Sequence, residues 1–370
     1  MKLNIALLAG DGIGPEVIDQ AVKVCDAIAT KYEHEIAWKP ALTGAAAIDA
    51  VGEPYPDDTH EICASADAVL FGAIGHPRFD NDPSAKVRPE QGLLKMRQKL
   101  GLFANVRPTF TFPSLIDKSP LKRDRIEGTD LIILRELTGG VYFGKPRGVS
   151  KINDNEEKAV DTQSYTTSEV ERITRVAFDL AKKRNNKVTS VEKSNVMETG
   201  MFWRNIVTKL HNNEFNNVEL NHMLADNCAM QLVRYPKQFD VILTDNLFGD
   251  MLSDVAAMLT GSLGMLPSAS LGAINEKGTR AALYEPVHGT APDIAGQGKA
   301  NPLAMIMSFA MMLKYSFDMQ EDSQMIEQAV QNVLSKGLRT PDIKQGAVKI
   351  VSTSEMGQAV IDELTKLINK

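Results

Sequence analysis

Short apolar runs alternate with longer segments of helical periodicity along this chain, and no other feature restricts its fold as strongly. Four of the runs predict buried strands, at residues 3–8, 68–74, 131–134 and 241–243. After the first run, Pro15 opens a helical pattern whose apolar positions share one face, at Val17, Ala21, Val24 and Ile28. Short buried strands between helices are typical of an α/β protein with a mostly parallel sheet. The pattern predicts that fold class.

Length and composition limit the class of protein. A chain of 370 residues is long enough for two domains and for a core that needs no disulfide or structural metal. The net charge of -6 argues against a nucleic-acid or anionic-membrane partner. The three cysteines are far apart, which fits neither a zinc framework nor a disulfide scaffold and favours a reducing cytosol.

No apolar run predicts a targeting or membrane segment. The N-terminal run is too short for a signal peptide. The longest run, 303–313, has 11 residues, well below the roughly 20 that a membrane span needs. We therefore expect a cytoplasmic protein that contacts no membrane and no nucleic acid.

The segment 139–165 differs from the rest of the chain. It is polar, rich in turn-forming residues and without helical periodicity, which favours an extended arm or a hairpin. No stretch rich in proline and glycine separates two domains, so composition alone does not place a domain boundary.

A glycine-rich turn, Gly-Asp-Gly-Ile-Gly-Pro at 10–15, follows the first predicted strand. The dinucleotide fingerprint of a Rossmann domain needs the spacing Gly-x-Gly-x-x-Gly and an acidic residue about 20 positions later. This chain has the spacing Gly-x-Gly-x-Gly-Pro and no obvious acidic partner. A cofactor loop and a tight turn that only the backbone requires both stay open, and the sequence favours the tight turn.

Two aspartates one helical turn apart indicate a cation site. Asp250 and Asp254 follow the apolar strand 240–244. On a helix they share one face, where their like charges oppose each other unless a cation neutralises them. Carboxylate oxygens suit Mg²⁺ or Mn²⁺, and Asp226 is a candidate third ligand. The alternative is a solvated acidic helix face.

Three arginines and one polar loop complete the candidate site. Arg97, Arg107 and Arg135 each carry a planar fork that binds a carboxylate at two points, so together they suit a dicarboxylate. The alternative for each is surface charge. In the loop 285–301, glycines allow a ligand to approach the backbone, and Asp293 is able to accept both hydroxyls of a ribose. The alternative here is a long surface loop.

Together these segments resemble the β-decarboxylating dehydrogenases of the isocitrate and isopropylmalate type. The resemblance covers essentially the whole chain, from the segment 9–17 to the region after Asn301. Its most specific parts are Asn-Leu-Phe-Gly-Asp-Met-Leu-Ser-Asp at 246–254 and the segment that runs from Glu-Pro-Val-His-Gly-Thr at 285–290 to Ala-Asn-Pro at 300–302.

The resemblance implies a two-domain α/β fold of the isopropylmalate/isocitrate dehydrogenase type, distinct from a standard Rossmann fold. The first, cofactor-binding domain would consist of 1–102 and 259–370. The second would consist of 103–258 and carry the metal and substrate ligands, the dimer interface and a dimerisation arm at about 139–165.

The resemblance also implies NAD and a Mg²⁺ or Mn²⁺ ion. His288 would contact the adenine, Asn301 would help to hold it, and Asp293 would bind the ribose, which favours NAD because a carboxylate repels the 2′-phosphate of NADP. The residues implied for the cofactor are Glu90, Glu285, His288, Gly289, Thr290, Ala291, Asp293, Ile294 and Asn301.

For the substrate, the resemblance implies 3-isopropylmalate, oxidised and decarboxylated to 2-oxoisocaproate in leucine biosynthesis. Leu93 and Leu94 would receive the isopropyl group, whereas isocitrate would need polar groups there for its third carboxylate. The residues implied for the substrate are Glu90, Leu93, Leu94, Arg97, Arg107, Arg135, Asn195, Val196 and Asp226. The metal ligands implied are Asp226, Asp250 and Asp254.

Tyr142 and Lys193 are implied as the catalytic acid and base. Lys193 would take the proton of the C2 hydroxyl, and Tyr142 would protonate the carbon that the carboxyl group leaves. Because Lys193 and Asp226 act in the neighbouring subunit's site in this family, the resemblance implies a homodimer with active sites shared between the subunits.

One position departs from the family pattern, and rival functions stay open. His76 stands where the family usually has glycine, and its imidazole would either approach the nicotinamide or, as the sequence favours, point to solvent. A D-malate or tartrate dehydrogenase of the same family is the nearest rival. A non-catalytic regulatory subunit would have lost Tyr142, Lys193 or an aspartate. A plain nucleotide-binding module leaves the aspartates and arginines unexplained.

Overall fold

The computed structural model describes residues 2–31, 35–80 and 85–369 as an α/β protein. Within these residues the strands are β1 (Lys2–Gly10), β2 (Glu35–Pro40), β3 (Ala68–Ala73), β4 (Ala104–Phe110), β5 (Asp130–Glu136), β6 (Gly148–Asn153), β7 (Glu156–Val160), β8 (Lys187–Glu192), β9 (Glu219–Leu224), β10 (Val241–Thr244), β11 (Pro267–Leu271), β12 (Ala282–Pro286), β13 (Leu338–Arg339) and β14 (Lys349–Ile350). The four strands that the apolar runs predict are β1, β3, β5 and β10.

Helices separate most of these strands along the chain. Over the same described residues the helices are α1 (Gly14–Lys31), α2 (Gly44–Val51), α3 (Asp57–Ser65), α4 (Pro77–Asp80), α5 (Pro89–Lys99), α6 (Arg123–Ile126), α7 (Thr167–Lys182), α8 (Glu198–Glu214), α9 (Ala225–Arg234), α10 (Asn246–Thr260), α11 (Leu303–Ser316), α12 (Gln320–Ser335) and α13 (Thr353–Ile368). None of the described helices combines the length and the apolarity that crossing a membrane requires.

The chain forms two compact units. The first unit comprises Met1–Leu102, Phe112–Pro120 and Thr260–Lys370, and the second comprises Phe103–Thr111 and Leu121–Leu259. In the first unit the strand order is β2-β1-β3-β12-β11, with parallel pairs except for β11, which is antiparallel to β12.

Two helices supply much of the core of the first unit. The apolar face that Val17, Ala21, Val24 and Ile28 predict on α1 is buried. The longest apolar run of the sequence, Leu303 to Leu313, is buried throughout as part of α11, which packs against α1, α12, β11 and β12. A helix that is apolar on every side fits a position enclosed by other elements.

In the second unit the strand order is β4-β5-β10-β8-β9. Strands β5, β10, β8 and β9 are parallel, and β4 is antiparallel to β5. Thr244 at the end of β10 pairs with Arg135 of β5 and with Val191 of β8, so these three strands end at the same edge. Ligand sites of α/β proteins form at this carboxyl edge.

The segment 139–165 contains an antiparallel hairpin of β6 and β7, as its polar, turn-rich sequence predicts. Every residue of β6 is exposed, and only Val160 of β7 is half-buried. A two-stranded hairpin without a covering layer is at best marginally stable in water.

Candidate active site

Helix α10 begins at the carboxyl end of β10. Between the two elements, Asp245 accepts a hydrogen bond from the backbone N–H of Phe248 at 2.8 Å, and its other oxygen accepts one from Gln163 Nε2 at 2.8 Å. Such a cap fixes the start of a helix and therefore the direction in which each later residue points. Asp250 and Asp254 lie one turn apart on α10, in the arrangement that the sequence predicts.

Asp250 is at the centre of a cluster of polar side chains from four parts of the second unit. Arg135, the penultimate residue of β5, contacts Asp250 Oδ1 through Nη1. The hydroxyl of Tyr142 donates to Asp250 Oδ2 at 3.0 Å. From β4, Arg107 Nη1 lies 3.7 Å from Asp250 Oδ1 and donates to Ser253 Oγ at 2.6 Å. Four side chains of this cluster are site residues in the sequence analysis: Arg107, Arg135, Tyr142 and Asp250.

Burial sets the protonation of several groups in this cluster. Burial, and next the neighbouring charge of Asp250, raises the pKa of Tyr142, so its phenol keeps its proton at neutral pH. Burial also raises the pKa of Asp254, while Arg107 opposes the shift. Tyr142 is therefore suited to donate a proton, and two arginines are available to bind carboxylate.

Asn246 is a residue of this site that the sequence interpretation missed. It is buried, and its Oδ1 accepts hydrogen bonds from Arg135 Nε at 3.0 Å and Nη2 at 2.8 Å. Gly249 lies beside it, where an added Cβ would come within 2.6 Å of Arg135 Cγ, so a larger residue would push the arginine away. The signal in the sequence is an amide placed directly after a buried strand and Asp245.

A second cluster lies at the end of β8. Lys193 follows β8 and forms an ion pair of 2.9 Å with Asp226 in the first turn of α9. The hydrogen bond from Lys193 lowers the pKa of Asp226. Asn195 and Val196 are exposed next to this pair. The pair joins the predicted base to one of the predicted metal ligands.

The three predicted metal ligands do not form one group. Across residues 2–31, 35–80 and 85–369, no three His, Cys, Asp or Glu side chains are close enough together to hold a metal ion. Asp254 has no hydrogen-bond donor among these described residues, and Asp250 lies one turn before it. The carboxylates of Asp250 and Asp254 therefore supply part of the ligand set of a divalent cation, and a complete set needs further ligands.

In the first unit, α5 carries four of the predicted substrate residues. Arg97 Nη2 donates to Glu285 Oε1 at 2.8 Å, and both side chains are only 9% exposed. Glu90 is exposed, and Leu93 and Leu94 are half-buried, with Leu93 against the core cluster around Met96. A Cβ at Gly75 would lie 2.8 Å from Glu90 Oε1, so this loop approaches α5 closely at a glycine.

The segment 285–301 continues from the end of β12. The imidazole Nε2 of His288 is buried without a hydrogen-bond partner in the described part of the chain, and its Nδ1 lies 2.9 Å from the carbonyl oxygen of Gly289. Burial lowers the pKa of His288, which favours a neutral ring. Asn301 is buried and donates to Asp342 Oδ2 at 3.1 Å.

The remaining predicted cofactor residues lie along an open loop. Asp293 is exposed, Ile294 is half-buried, and Ala291 has a positive φ of 37°. In the described part of the chain, no atom of another residue lies within 4 Å of a Cβ added at Gly289, Gly296 or Gly298. A polar ring nitrogen without a partner, an exposed carboxylate and accessible backbone together fit a nucleotide cofactor.

The glycine-rich turn after β1 serves the backbone, which is the interpretation that the sequence favours. The buried carboxylate of Asp11 accepts hydrogen bonds from the N–H groups of Ala45, Ala46 and Gly75, at 2.9, 3.1 and 3.0 Å. Ile13 N–H donates to the carbonyl oxygen of Thr290 at 2.9 Å, which ties the turn to the segment 285–301. His76 is exposed.

Comparison with known proteins agrees with this geometry. Residues 4–360 match the family described as isocitrate/isopropylmalate dehydrogenase. The chain is 56% identical to a 3-isopropylmalate dehydrogenase of Rhodospirillum rubrum over 366 residues, with 99% of both chains covered. It is also 56% identical to that of Paramagnetospirillum magneticum, with 98% of both covered.

Among solved structures, an isocitrate dehydrogenase from Methylococcus capsulatus superposes with a TM-score of 0.84 at 35% identity, and the match covers 98% of this chain and 99% of the other. A β-decarboxylating dehydrogenase from Thermococcus kodakarensis superposes with a TM-score of 0.78 at 34% identity, with 99% and 97% covered. The chain therefore belongs to the isocitrate/isopropylmalate dehydrogenase family.

Proposed function

We propose that this chain catalyses the oxidative decarboxylation of 3-isopropylmalate to 2-oxoisocaproate with reduction of NAD⁺, as a step of leucine biosynthesis. The observation that carries the proposal is the cluster of Arg107, Arg135, Tyr142 and Asp250, which combines carboxylate-binding cations with a proton donor. Relatives that are 52–56% identical over nearly their full length bear the name of this activity, which supports the choice of substrate.

Arg107 and Arg135 bind a carboxylate of the substrate. Their side chains are 12% and 5% exposed, so they are largely shielded from water, where an ion pair is stronger than at the surface. Arg97 is the third arginine of the set, and its pairing with Glu285 fixes the direction of its guanidinium. Leu93 and Leu94 favour an isopropyl group because a carboxylate beside them would lose its hydration without a partner.

Two side chains of the second unit handle protons. Lys193 in its amine form takes the proton of the C2 hydroxyl, and Asp226, at a contact distance of 2.9 Å, then stabilises the ammonium group that forms. Tyr142 donates its phenolic proton to the substrate carbon from which the carboxyl group departs. Its hydrogen bond to Asp250 orients the hydroxyl, and its raised pKa keeps the proton available.

The chain offers positions for both cofactors. The segment 285–301 would hold NAD, with His288 contacting the adenine and Asp293 accepting hydrogen bonds from the ribose hydroxyls. Asp250 and Asp254, together with Asp226 of a second chain, would hold Mg²⁺ or Mn²⁺. When bound, NAD⁺ supplies the hydride acceptor, and the cation supplies positive charge that stabilises the electrons left by decarboxylation.

The protein acts as a homodimer, with Lys193 and Asp226 serving the neighbouring subunit's site. Within one chain the described residues do not group the three metal-ligand aspartates, which supports a second chain as the source of Asp226. Large apolar side chains are exposed on α9 and α10: Met230, Val233, Met251 and Met258. Exposed apolar patches mark protein interfaces, and the uncovered hairpin of β6 and β7 also needs a covering surface.

The direct test is NADH formation by the purified protein with 3-isopropylmalate, D-malate and isocitrate, each with and without EDTA. We expect 3-isopropylmalate to give the highest kcat/KM, and EDTA to abolish turnover until Mg²⁺ or Mn²⁺ is restored. A higher kcat/KM with D-malate would identify the rival enzyme of the same family. Binding of NAD⁺ without turnover of any of the three acids would contradict the proposal.

A further inference from the structure

We propose that Asn246 is a positioning residue that holds Arg135 in the orientation required for substrate binding. This inference rests on the proposed function, because it assigns Arg135 to a carboxylate of the substrate. Asn246 itself is buried against β5 and the loop at 139–140, so it acts through Arg135 and not by touching the substrate.

The guanidinium of Arg135 contacts two side chains, Asn246 and Asp250. Nε and Nη2 of Arg135 both donate to Asn246 Oδ1, and Nη1 points to Asp250. The side of the fork that faces Asn246 is thereby fixed within the protein. An arginine held on one side loses less conformational freedom when its other side binds a ligand, which strengthens binding.

The amide of Asn246 has only one favourable orientation. A guanidinium only donates hydrogen bonds, so the amide oxygen must face Arg135. The amide nitrogen donates to the carbonyl oxygen of Gly139 at 3.0 Å, and a carbonyl only accepts. The backbone N–H of Asn246 donates to the hydroxyl of Tyr165 at 3.0 Å. Three contacts from separate elements therefore lock the residue that holds Arg135.

An asparagine side chain both accepts hydrogen bonds from Arg135 and donates one to the carbonyl oxygen of Gly139. Aspartate accepts from Arg135 but has no donor for the Gly139 carbonyl, and alanine provides neither group. Because Gly139 and Gly140 lie just before Tyr142, the same amide joins the arginine of the cluster to the loop that carries its proton donor. Asn246 thus forms hydrogen bonds both with Arg135 of β5 and with the loop that carries Tyr142.

The test compares steady-state kinetics of the full-length enzyme and its variants. For Asn246→Ala we expect KM for 3-isopropylmalate to rise by about 10- to 100-fold, the scale of losing hydrogen bonds to a charged group. KM for NAD⁺ should stay within about twofold of the wild-type value, because the side chain of Asn246 contacts Arg135 and Gly139, which are not among the residues proposed for the cofactor. Asn246→Asp keeps the acceptor for Arg135 but lacks the donor for the Gly139 carbonyl oxygen, so its KM for 3-isopropylmalate should rise less than that of Asn246→Ala.

Gln163→Ala is the matched control, since Gln163 hydrogen-bonds Asp245 at the same helix start but does not contact Arg135. A merely structural role for Asn246 would give the same kinetics in Gln163→Ala and Asn246→Ala at equal loss of thermal stability, and that result would overturn the inference. A KM for Asn246→Asp as high as that for Asn246→Ala would also overturn it.

A double-mutant cycle provides a second readout. If Asn246 acts through Arg135, Asn246→Ala should raise KM far less in an Arg135→Lys background than in the wild type, because lysine does not present the same fork. Additive effects would overturn the inference. A wild-type protein that does not turn over 3-isopropylmalate would instead refute the proposed function, which keeps the two failures distinct.

Discussion

At the scale of single residues, one carboxylate organises the candidate site. Asp250 is contacted by Arg135 and by the hydroxyl of Tyr142, with Arg107 at 3.7 Å, so three side chains take their position from it. A carboxylate is suited to this role because its two oxygens accept several hydrogen bonds at once. Asp254, one turn later, adds a second carboxylate that has no donor among the described residues.

Asp250→Asn should abolish metal-dependent turnover while leaving the fold intact. The amide oxygen still accepts a hydrogen bond from Arg135, and the amide nitrogen is able to donate to the hydroxyl oxygen of Tyr142. The amide lacks the charge that a divalent cation needs. We expect kcat to fall by about 100-fold or more, and Mg²⁺ to raise the melting temperature of the wild type but not that of the variant. Asp179→Asn, which changes an exposed carboxylate on α7, is the control. Unchanged activity of Asp250→Asn would remove the metal assignment.

Asp293→Lys should shift the cofactor preference toward NADP. Replacing a carboxylate by an ammonium removes the repulsion of a 2′-phosphate and adds an attraction, so we expect the ratio of kcat/KM for NADP⁺ over NAD⁺ to rise by about 10-fold or more. Glu321→Lys, at an exposed position in the first turn of α12, makes the same charge change away from the loop. An equal shift in both variants would show a general effect of net charge and count against Asp293.

At the scale of elements, the start of α10 depends on a buried acid. Burial raises the pKa of Asp245 from its usual 3.8 to about 6. Between these two pH values the unfolded chain has lost the proton that the folded chain keeps. The free energy of unfolding therefore falls as pH rises from about 4 to about 6, and the loss persists at higher pH.

Asp245→Asn removes this ionisation, so its stability relative to the wild type should increase across the same pH window. We expect a relative gain on the order of 1–3 kcal/mol between pH about 4 and pH about 7. Denaturant unfolding of both proteins at several pH values in this range measures it. Asp179→Asn, which makes the same change at an exposed carboxylate, is measured beside it as the control. A difference between Asp245→Asn and wild type that stays constant with pH would contradict the prediction.

At the scale of the whole molecule, shared active sites have a direct consequence. A mixed dimer of a Lys193→Ala chain and an Asp250→Asn chain would contain one site with both defects and one intact site. Co-expression of the two inactive variants should therefore restore about a quarter of the wild-type specific activity, if the chains assemble at random.

The matched control combines Lys193→Ala with Asp226→Ala. Both residues serve the neighbouring subunit's site, so every site of that mixture carries a defect and no activity should return. Purified mixed dimers, separated by two different affinity tags, give the cleanest measurement. If Lys193→Ala and Asp250→Asn chains restore nothing when they form such dimers, the sites are not shared.

Much of the fold follows from local patterns. The sequence predicts the strands β1, β3, β5 and β10 and the buried face of α1 because an apolar run or an apolar helix face depends only on neighbouring residues. The common face of Asp250 and Asp254 follows in the same way from helix geometry. The family resemblance added the activity, which no periodicity indicates.

The contacts within the site do not follow from local patterns. Arg135 and Asp250 are 115 residues apart, and Arg97 and Glu285 are 188 apart. Each pair joins a residue of a strand, Arg135 or Glu285, to a residue of a helix that is distant in sequence, and the packing of the unit brings strand and helix together. The amino-acid order therefore indicates which side chains carry charge or a proton. Which of them meet, and that Asn246 joins two of them, depends on the packing of the folded chain, because only packing brings separate elements within hydrogen-bond distance.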